Sequence, residues 1–254
     1  MRYWLTASNG KGHGIHSPFV FNFVKNVLND TTNFAAYEEV EALRHKLYQS
    51  KLLIEVEDMG AGSVIPGGKR RKVSHIARNA AKPARYGQLL FRIVQYFKPE
   101  LILEMGTSLG VTTSYLASAN KNSKVITLEG ASSIAEIAEA NFSDLHLTNI
   151  KLIKGHFDHS LPDVLKGPEK VDISFIDGNH RKEPTLQYFK TLGNHIKSSS
   201  ILIFDDIHWS KEMEEAWEKI KADTSVTLTI DLFFIGLVFF RDEFKIKQHF
   251  TIRY

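Results

Sequence analysis

Cysteine is absent from this 254-residue chain, which removes disulfides, thiolate metal sites and cysteine nucleophiles at once and fits a reducing, cytoplasmic setting. Long apolar runs are missing as well. The most apolar window, residues 232–240, is nine residues long, far short of the ~20 that span a bilayer, so a buried strand and no membrane partner are expected. The N-terminal Met1-Arg-Tyr-Trp-Leu-Thr6 has neither the apolar core nor the cleavage-site pattern of a signal peptide. Net charge is small: 32 Lys and Arg against 29 Asp and Glu leave +3, too little by itself to imply a nucleic-acid partner. The dinucleotide fingerprint G-x-G-x-x-G is also missing, which argues against a dehydrogenase.

What is present is an alternation of periods. Residues 101–104, 124–129, 150–154, 171–176 and 201–204 are short apolar runs of strand length. Helical spacing follows the first of them to about residue 119 and recurs at 134–142, 184–196 and 211–221. Two further strands, 226–231 and 234–241, leave no room for a helix between them. Five βα units imply a parallel sheet, and the closing pair must be antiparallel. Residues 18–28, 37–51 and 84–97 read as amphipathic helices. The expectation is an α/β, Rossmann-like domain over residues 82–254 and an N-terminal helical extension over residues 1–81 with a flexible basic loop.

The most informative stretch is Leu101-Ile-Leu-Glu104-Met-Gly106-Thr107-Ser108-Leu-Gly110-Val-Thr112-Thr113. It joins an apolar run, an acid, a glycine turn and a restart into helix-compatible residues. Gly106 can adopt backbone angles that a side chain forbids, and Gly110 lets the helix start approach a ligand. The N–H groups of that start favour an anionic group such as a carboxylate. The glutamate two residues before the first glycine suits a cationic ligand atom better than a pyrophosphate. S-adenosylmethionine (SAM) has two such atoms, an ammonium and a sulfonium. An ordinary strand–turn–helix corner would read the same from this loop alone. A second glycine stretch, Ile54-Glu-Val-Glu-Asp58-Met-Gly60-Ala-Gly62, could pass as a strand ending in a cofactor loop, but it leads into a proline and four basic residues and reads better as a mobile flap.

Ligands of doubly wound sheets sit outside the carboxyl ends of the strands, and each parallel strand here ends in polar residues. The first ends at Glu104 and Gly106, the second at Glu129, nineteen residues after Gly110 and placed for both ribose hydroxyls. The third leads to Gly155-His156-Phe157-Asp158, suited to an adenine; the fourth ends at Asp177-Gly-Asn179-His180 and the fifth at Asp205-Asp206-Ile-His208-Trp209. Three converging carboxylates, Asp177, Asp205 and Asp206, would repel one another unless a proton or cation intervened. Mg²⁺ or Mn²⁺ would resolve that and orient a substrate hydroxyl. The competing arrangement puts one aspartate on the cofactor, another on a helix cap, and no metal. His180 stands where a general base would sit, with a loop histidine bonded to an aspartate as the alternative. His208 and Trp209 either line an acceptor pocket or start the next helix. His13 and His16, flanking Gly14, leave open an arm over the site.

Glu104-Met-Gly-Thr-Ser-Leu-Gly110, Glu129, Phe175-Ile-Asp177 and Asp205-Asp206 together resemble the class I SAM-dependent methyltransferases, in particular the catechol and caffeoyl-CoA O-methyltransferase-like branch, over about residues 82–240. The resemblance implies a seven-stranded sheet with its last strand antiparallel. It puts Glu104, Gly106, Ser108 and Thr112 at the methionine end of SAM, Glu129 at the ribose, and Phe157 and Asp158 near the adenine. Thr107, Gly110, Gly155 and Asp177 complete the cofactor set, and Asp177, Asp205 and Asp206 match the branch's metal ligands. Two positions depart from the pattern: Asp206 stands where the branch has asparagine, and His180 where it has a catalytic lysine.

The reading these residues support is a SAM-dependent methyltransferase acting on an oxygen of a small-molecule acceptor with divalent-metal assistance. Asp177, Asp205 and Asp206 would orient the acceptor and His180 would take its proton. Two alternatives stay open: a metal-independent SAM methyltransferase drawn to RNA or another polyanion by Lys69-Arg-Arg-Lys72, and a non-catalytic SAM-binding protein. No RNA-binding module is identifiable, so nucleic acid is not the expected partner. Trp4, Phe19, Phe21 and Phe23 leave a homodimer contact open beside packing on their own domain.

Overall fold

A computed structural model describes residues 3, 7–8, 10, 15–56, 70–80, 82–167 and 169–254. The expectations for Trp4, His13, Gly14, Asp58, Gly60, Gly62 and Lys69 fall on residues outside this set. The first described helix, α1 (Pro18–Phe23), starts where capping chemistry says it should, with Pro18 in its first turn and the Ser17 side chain accepting from the Val20 N–H at 3.5 Å. It continues into a π-helical turn, Val24–Leu28. Then follow α2 (Ala35–Gln49), β1 (Leu53–Glu55), β2 (Arg70–Lys72), α3 (Val73–Ala80), α4 (Ala84–Phe97), β3 (Leu101–Met105), α5 (Val111–Ala119), β4 (Lys124–Glu129), α6 (Ser132–Asp144), β5 (Ile150–Lys154) and α7 (Phe157–Leu165). The chain ends with β6 (Val171–Ile176), α8 (Lys182–Gly193), β7 (Ile196–Asp205), α9 (Lys211–Ala222), β8 (Leu228–Asp231), β9 (Ile235–Phe239) and β10 (Gln248–Thr251). Among the described residues, no helix is long and apolar enough to cross a membrane.

The chain divides into two compact units, Thr31–Gly167 and the pair of segments Met1–Asp30 and Pro168–Tyr254. In the first unit β3, β4 and β5 run parallel in that order, with Leu101 opposite Lys124 and Val125 opposite Ile150. Every residue of β3 is buried, which explains why it reads as a continuous apolar run rather than an alternation. Helices α4 and α5 come together at Gly87, where a Cβ would collide with the Tyr115 ring. The Tyr115 hydroxyl donates to Glu41 Oε1 at 2.6 Å, and Arg44 Nε donates to the same oxygen at 3.0 Å. Burial and that carboxylate push the Tyr115 pKa well above the usual tyrosine range. The described part of the basic segment, Arg70–Lys72, forms a strand: β1 and β2 pair antiparallel, Leu53 opposite Lys72, and Ser133 Oγ donates to the Glu55 carbonyl at 2.5 Å.

In the second unit the order is β10-β8-β9-β7-β6. Strands β6 and β7 are parallel, β9 is antiparallel to both its neighbours, and β10 is parallel to β8. Trp217 of α9 is 1% exposed, and it fits because Gly236 of β9 has no Cβ to meet its ring. Among the described residues, the expected seven-stranded sheet is therefore corrected to eight strands. The additional strand, β10, follows the antiparallel pair and covers the edge of β8, with the Gln248 N–H on the Thr227 carbonyl at 3.0 Å and the Ile252 N–H on the Asp231 carbonyl at 2.9 Å. Covering an open edge removes a row of backbone groups that would otherwise face solvent or another chain. Ser8 extends that protection by bridging to Ile252.

Candidate functional site

Three residues in the left-handed region shape the turn between β3 and α5: Gly106 at φ 104°, Ser108 at φ 49° and Gly110 at φ 83°. The N–H groups of Gly106 and Thr107 both donate to the Leu128 carbonyl, at 3.0 and 3.1 Å. Asn141 Nδ2 of α6 donates to the Leu109 carbonyl at 2.9 Å. Gly110 is required for packing as well as for its φ, because a Cβ there would lie 2.5 Å from the Phe142 ring. The sequence pointed to close approach at Gly110, and the neighbour it approaches in this structure is helix α6.

The left-handed Ser108 costs roughly 1–2 kcal/mol of backbone strain, and its position shows what holds it there. Its N–H donates to Glu129 Oε2 at 2.8 Å, while Glu129 Oε1 accepts the Ala131 N–H at 3.0 Å. A hydrogen bond to a carboxylate contributes roughly 1.5–3 kcal/mol, enough to offset the strain. Glycine turn and strand-end acid thus form one cradle. Both carboxylate oxygens of this half-buried side chain thus stand at the mouth of the turn, where a ligand's hydroxyls would meet them.

Glu104 is held differently. It is fully buried, and its Oε2 accepts from Thr113 Oγ1 at 2.5 Å and from Thr127 Oγ1 at 2.6 Å. Thr107 Oγ1 lies 2.5 Å from Thr127 Oγ1. Thr113 and Thr127 were not singled out from the sequence. A threonine in the middle of the apolar run Val125-Ile-Thr-Leu128 is the signal that could have found one of them, since a buried polar group is the informative exception. Thr112 is half-buried in the first turn of α5. At the end of β5, Gly155 has φ 142° and open space around the position a Cβ would take. Its N–H donates to the Glu129 carbonyl at 2.9 Å. His156 caps α7 by accepting from the Asp158 N–H, leaving Phe157 half-buried and Asp158 exposed.

In the second unit, Asp177 follows β6 and its Oδ1 lies 3.4 Å from His180 Nε2. Between them Asn179 is left-handed, at φ 57°. Asp205, the last residue of β7, is 1% exposed, and Asp206 next to it is left-handed at φ 53°. His208 Nε2 is 2.8 Å from Asp231 Oδ2, and its Nδ1 is 3.3 Å from Glu214 Oε1. Burial lowers its pKa, but the hydrogen bonds and charges of Asp231 and Glu214 outweigh burial and hold it above the ordinary histidine value. The ring stacks on Phe233 at 5.4 Å, whereas neighbouring Trp209 is 72% exposed.

The expected Mg²⁺ or Mn²⁺ site on Asp177, Asp205 and Asp206 is overturned. Among the described residues no three histidine, cysteine, aspartate or glutamate side chains gather to hold a metal ion. Asp205 is buried at the end of β7, Asp206 lies past it in the left-handed region, and Asp177 Oδ1 lies 3.4 Å from His180 Nε2. Polar residues at successive strand ends satisfied the sequence pattern without supplying a coordination sphere.

Comparison with known proteins gives the geometry a context. A family model described as a methyltransferase domain matches residues 103–207. An uncharacterized protein of Acanthamoeba polyphaga mimivirus is 31% identical over 85 residues, covering 32% of this chain and 38% of that protein. A catechol O-methyltransferase of Niastella koreensis is 29% identical over 124 residues, covering 48% of this chain and 55% of that enzyme. The chain thus spans about half or less of the length of these curated relatives. Among solved structures, the O-methyltransferase from Bacillus cereus in complex with SAH superposes with a TM-score of 0.56 at 22% identity, over 87% of this chain and 97% of that one.

Proposed function

We propose, from the class I SAM-dependent methyltransferase fold that the chain carries, that it is a metal-independent methyltransferase transferring the SAM methyl group to an oxygen of a small-molecule acceptor. The observation that carries the reading is the 2.8 Å bond from the Ser108 N–H to Glu129. It joins the glycine turn to the acid that ends the next strand, the arrangement a nucleoside with a charged tail requires. The catechol O-methyltransferase relative supports oxygen as the acceptor atom.

The residues present fit that cofactor. Glu129, at the end of β4 beside the glycine turn, would accept the ribose hydroxyls. Gly106, Ser108, Gly110 and Thr112 would hold the methionine end, where the amides of a helix start favour a carboxylate. Gly155, Phe157 and Asp158 would bound the adenine, with the open space at Gly155 as room for it. SAM supplies an electrophilic methyl carbon on a cationic sulfur. In the second unit His180 would take the acceptor's proton, and Asp177, 3.4 Å from its Nε2, would orient the ring and stabilise its cationic form. The proton thus leaves on a residue, with no step through a metal.

Calorimetric titration with SAM tests the reading. Wild type should bind at micromolar concentration, and Glu129→Ala should weaken binding roughly 100-fold, as expected for losing hydrogen bonds to a charged acceptor. Failure of wild type to bind SAM would overturn it.

A further inference from the structure

We propose that Thr127, Thr113 and Thr107 are positioning residues, forming a buried hydroxyl relay on Glu104 that fixes the Gly106–Gly110 turn in its ligand-binding shape. The inference rests on the SAM reading above and assigns Glu104 the role of the turn's internal anchor. Glu104 is 0% exposed, Thr113 and Thr127 are 0% and Thr107 is 2%, so the relay lies wholly out of solvent.

The direction of the relay follows from counting protons. An ionised carboxylate only accepts, and each threonine hydroxyl has one proton to give. Thr113 and Thr127 both spend theirs on Glu104 Oε2, at 2.5 and 2.6 Å. The bond between Thr107 and Thr127, at 2.5 Å, must then run from the Thr107 hydroxyl to the Thr127 oxygen. The carboxylate therefore draws on four segments: its own strand β3, strand β4 through Thr127, the first turn of α5 through Thr113, and the turn itself through Thr107.

The placement of the end points explains the purpose. Thr107 immediately precedes left-handed Ser108, whose N–H reaches Glu129, and Thr113 stands three residues beyond Gly110. The relay clamps both sides of the strained turn, so the amides are aimed before any ligand arrives. An isolated buried carboxylate is a poor way to stabilise a fold, because taking the charge out of water is costly. A hydroxyl shell that ties the carboxylate to the turn gives it a use that stability alone does not.

The test is SAM titration and thermal unfolding on wild type, Thr127→Val, Thr127→Ser and Thr107→Val. Thr127→Val should raise the SAM Kd roughly tenfold or more, the scale of one hydrogen bond to a charged group. Thr127→Ser, which keeps the hydroxyl, should restore binding to within about threefold. A structural role alone would lower the melting temperature of Thr127→Val without that selective rescue in Kd, and would overturn the inference. If Thr127→Val does not fold, Thr107→Val decides, since it leaves both hydroxyls on Glu104 in place: a raised Kd with an unchanged melting temperature supports the relay, and an unchanged Kd overturns it. Wild type that binds SAM alongside variants that bind equally well removes the relay alone. Wild type that does not bind removes the relay together with the methyltransferase reading.

Discussion

The two units treat the same kind of residue in opposite ways. In Thr31–Gly167 the strand-end acids are fixed by neutral donors: Glu104 by two threonine hydroxyls and Glu129 by two backbone amides. In the unit of Met1–Asp30 and Pro168–Tyr254, histidines stand beside two of the acids, His180 by Asp177 and His208 by Asp231. Neutral donors fix a carboxylate at every pH where it is ionised. A histidine partner changes charge near neutrality. The first arrangement suits a cradle that should not move, and the second suits a site that handles protons.

The largest effect should come from the second unit. His180→Ala should lower kcat by roughly 10²–10⁴-fold, the range for removing a general base, while SAM affinity stays within about twofold. A pH profile would sharpen the comparison, because the variant should lose the rise in rate that accompanies deprotonation of a base. An equal loss of kcat and SAM affinity would break it, by making His180 part of the cradle. Next in size is Glu129→Ala, roughly 100-fold in SAM Kd. There the contrast predicts a flat response: the Ser108 and Ala131 amides that donate to the acid do not titrate, so their hold on it should vary little between pH 6 and 8.

How far these differences could be read from sequence depends on how local their causes are. Strand β4 and helix α4 match the expected 124–129 and 84–97, because each carries its own period and its own ends. The stretch from Ile54 could pass as a strand, but its pairing with Arg70–Lys72 was not legible, since Leu53 and Lys72 are far apart in the chain and Arg70-Arg-Lys72 has no strand composition. Helix α7 went unread because Pro162 lies inside it. In the site, single-residue chemistry such as the strand-end Glu129 was legible. The threonine relay was not, since three hydroxyls become a unit only when β3, β4 and α5 meet. The aspartates misled for the same reason in reverse: types and order suggested a metal, and only geometry could show that they do not gather.

A smaller effect should appear in stability. The folded-state pKa of His208 stands above the ordinary value because Asp231 and Glu214 outweigh its burial. The sign follows from linkage: a raised histidine pKa contributes stability in full below the ordinary value of about 6.5, and loses it as pH rises through the folded value. Wild type should therefore lose melting temperature between pH 6 and 8.5 relative to Asp231→Asn, by about 2 °C at most for a chain of this size. Parallel curves for the two proteins would mean that His208 is held by its stacking on Phe233 rather than by charge.

The smallest expected effect is none at all. Turnover of wild type in excess chelator should stay within about twofold of the untreated rate, and added Mg²⁺ or Mn²⁺ should not raise it. A hard divalent ion here would need carboxylate oxygens that converge on one point. The three strand-end aspartates offer no such set: Asp177 is turned to His180, Asp205 is buried, and Asp206 is carried past it by a left-handed turn. A rate that collapsed on chelation would overturn the metal-independent reading. It would also erase the contrast between the units, because the second would then hold its acids as firmly as the first, by a cation instead of by threonines and amides.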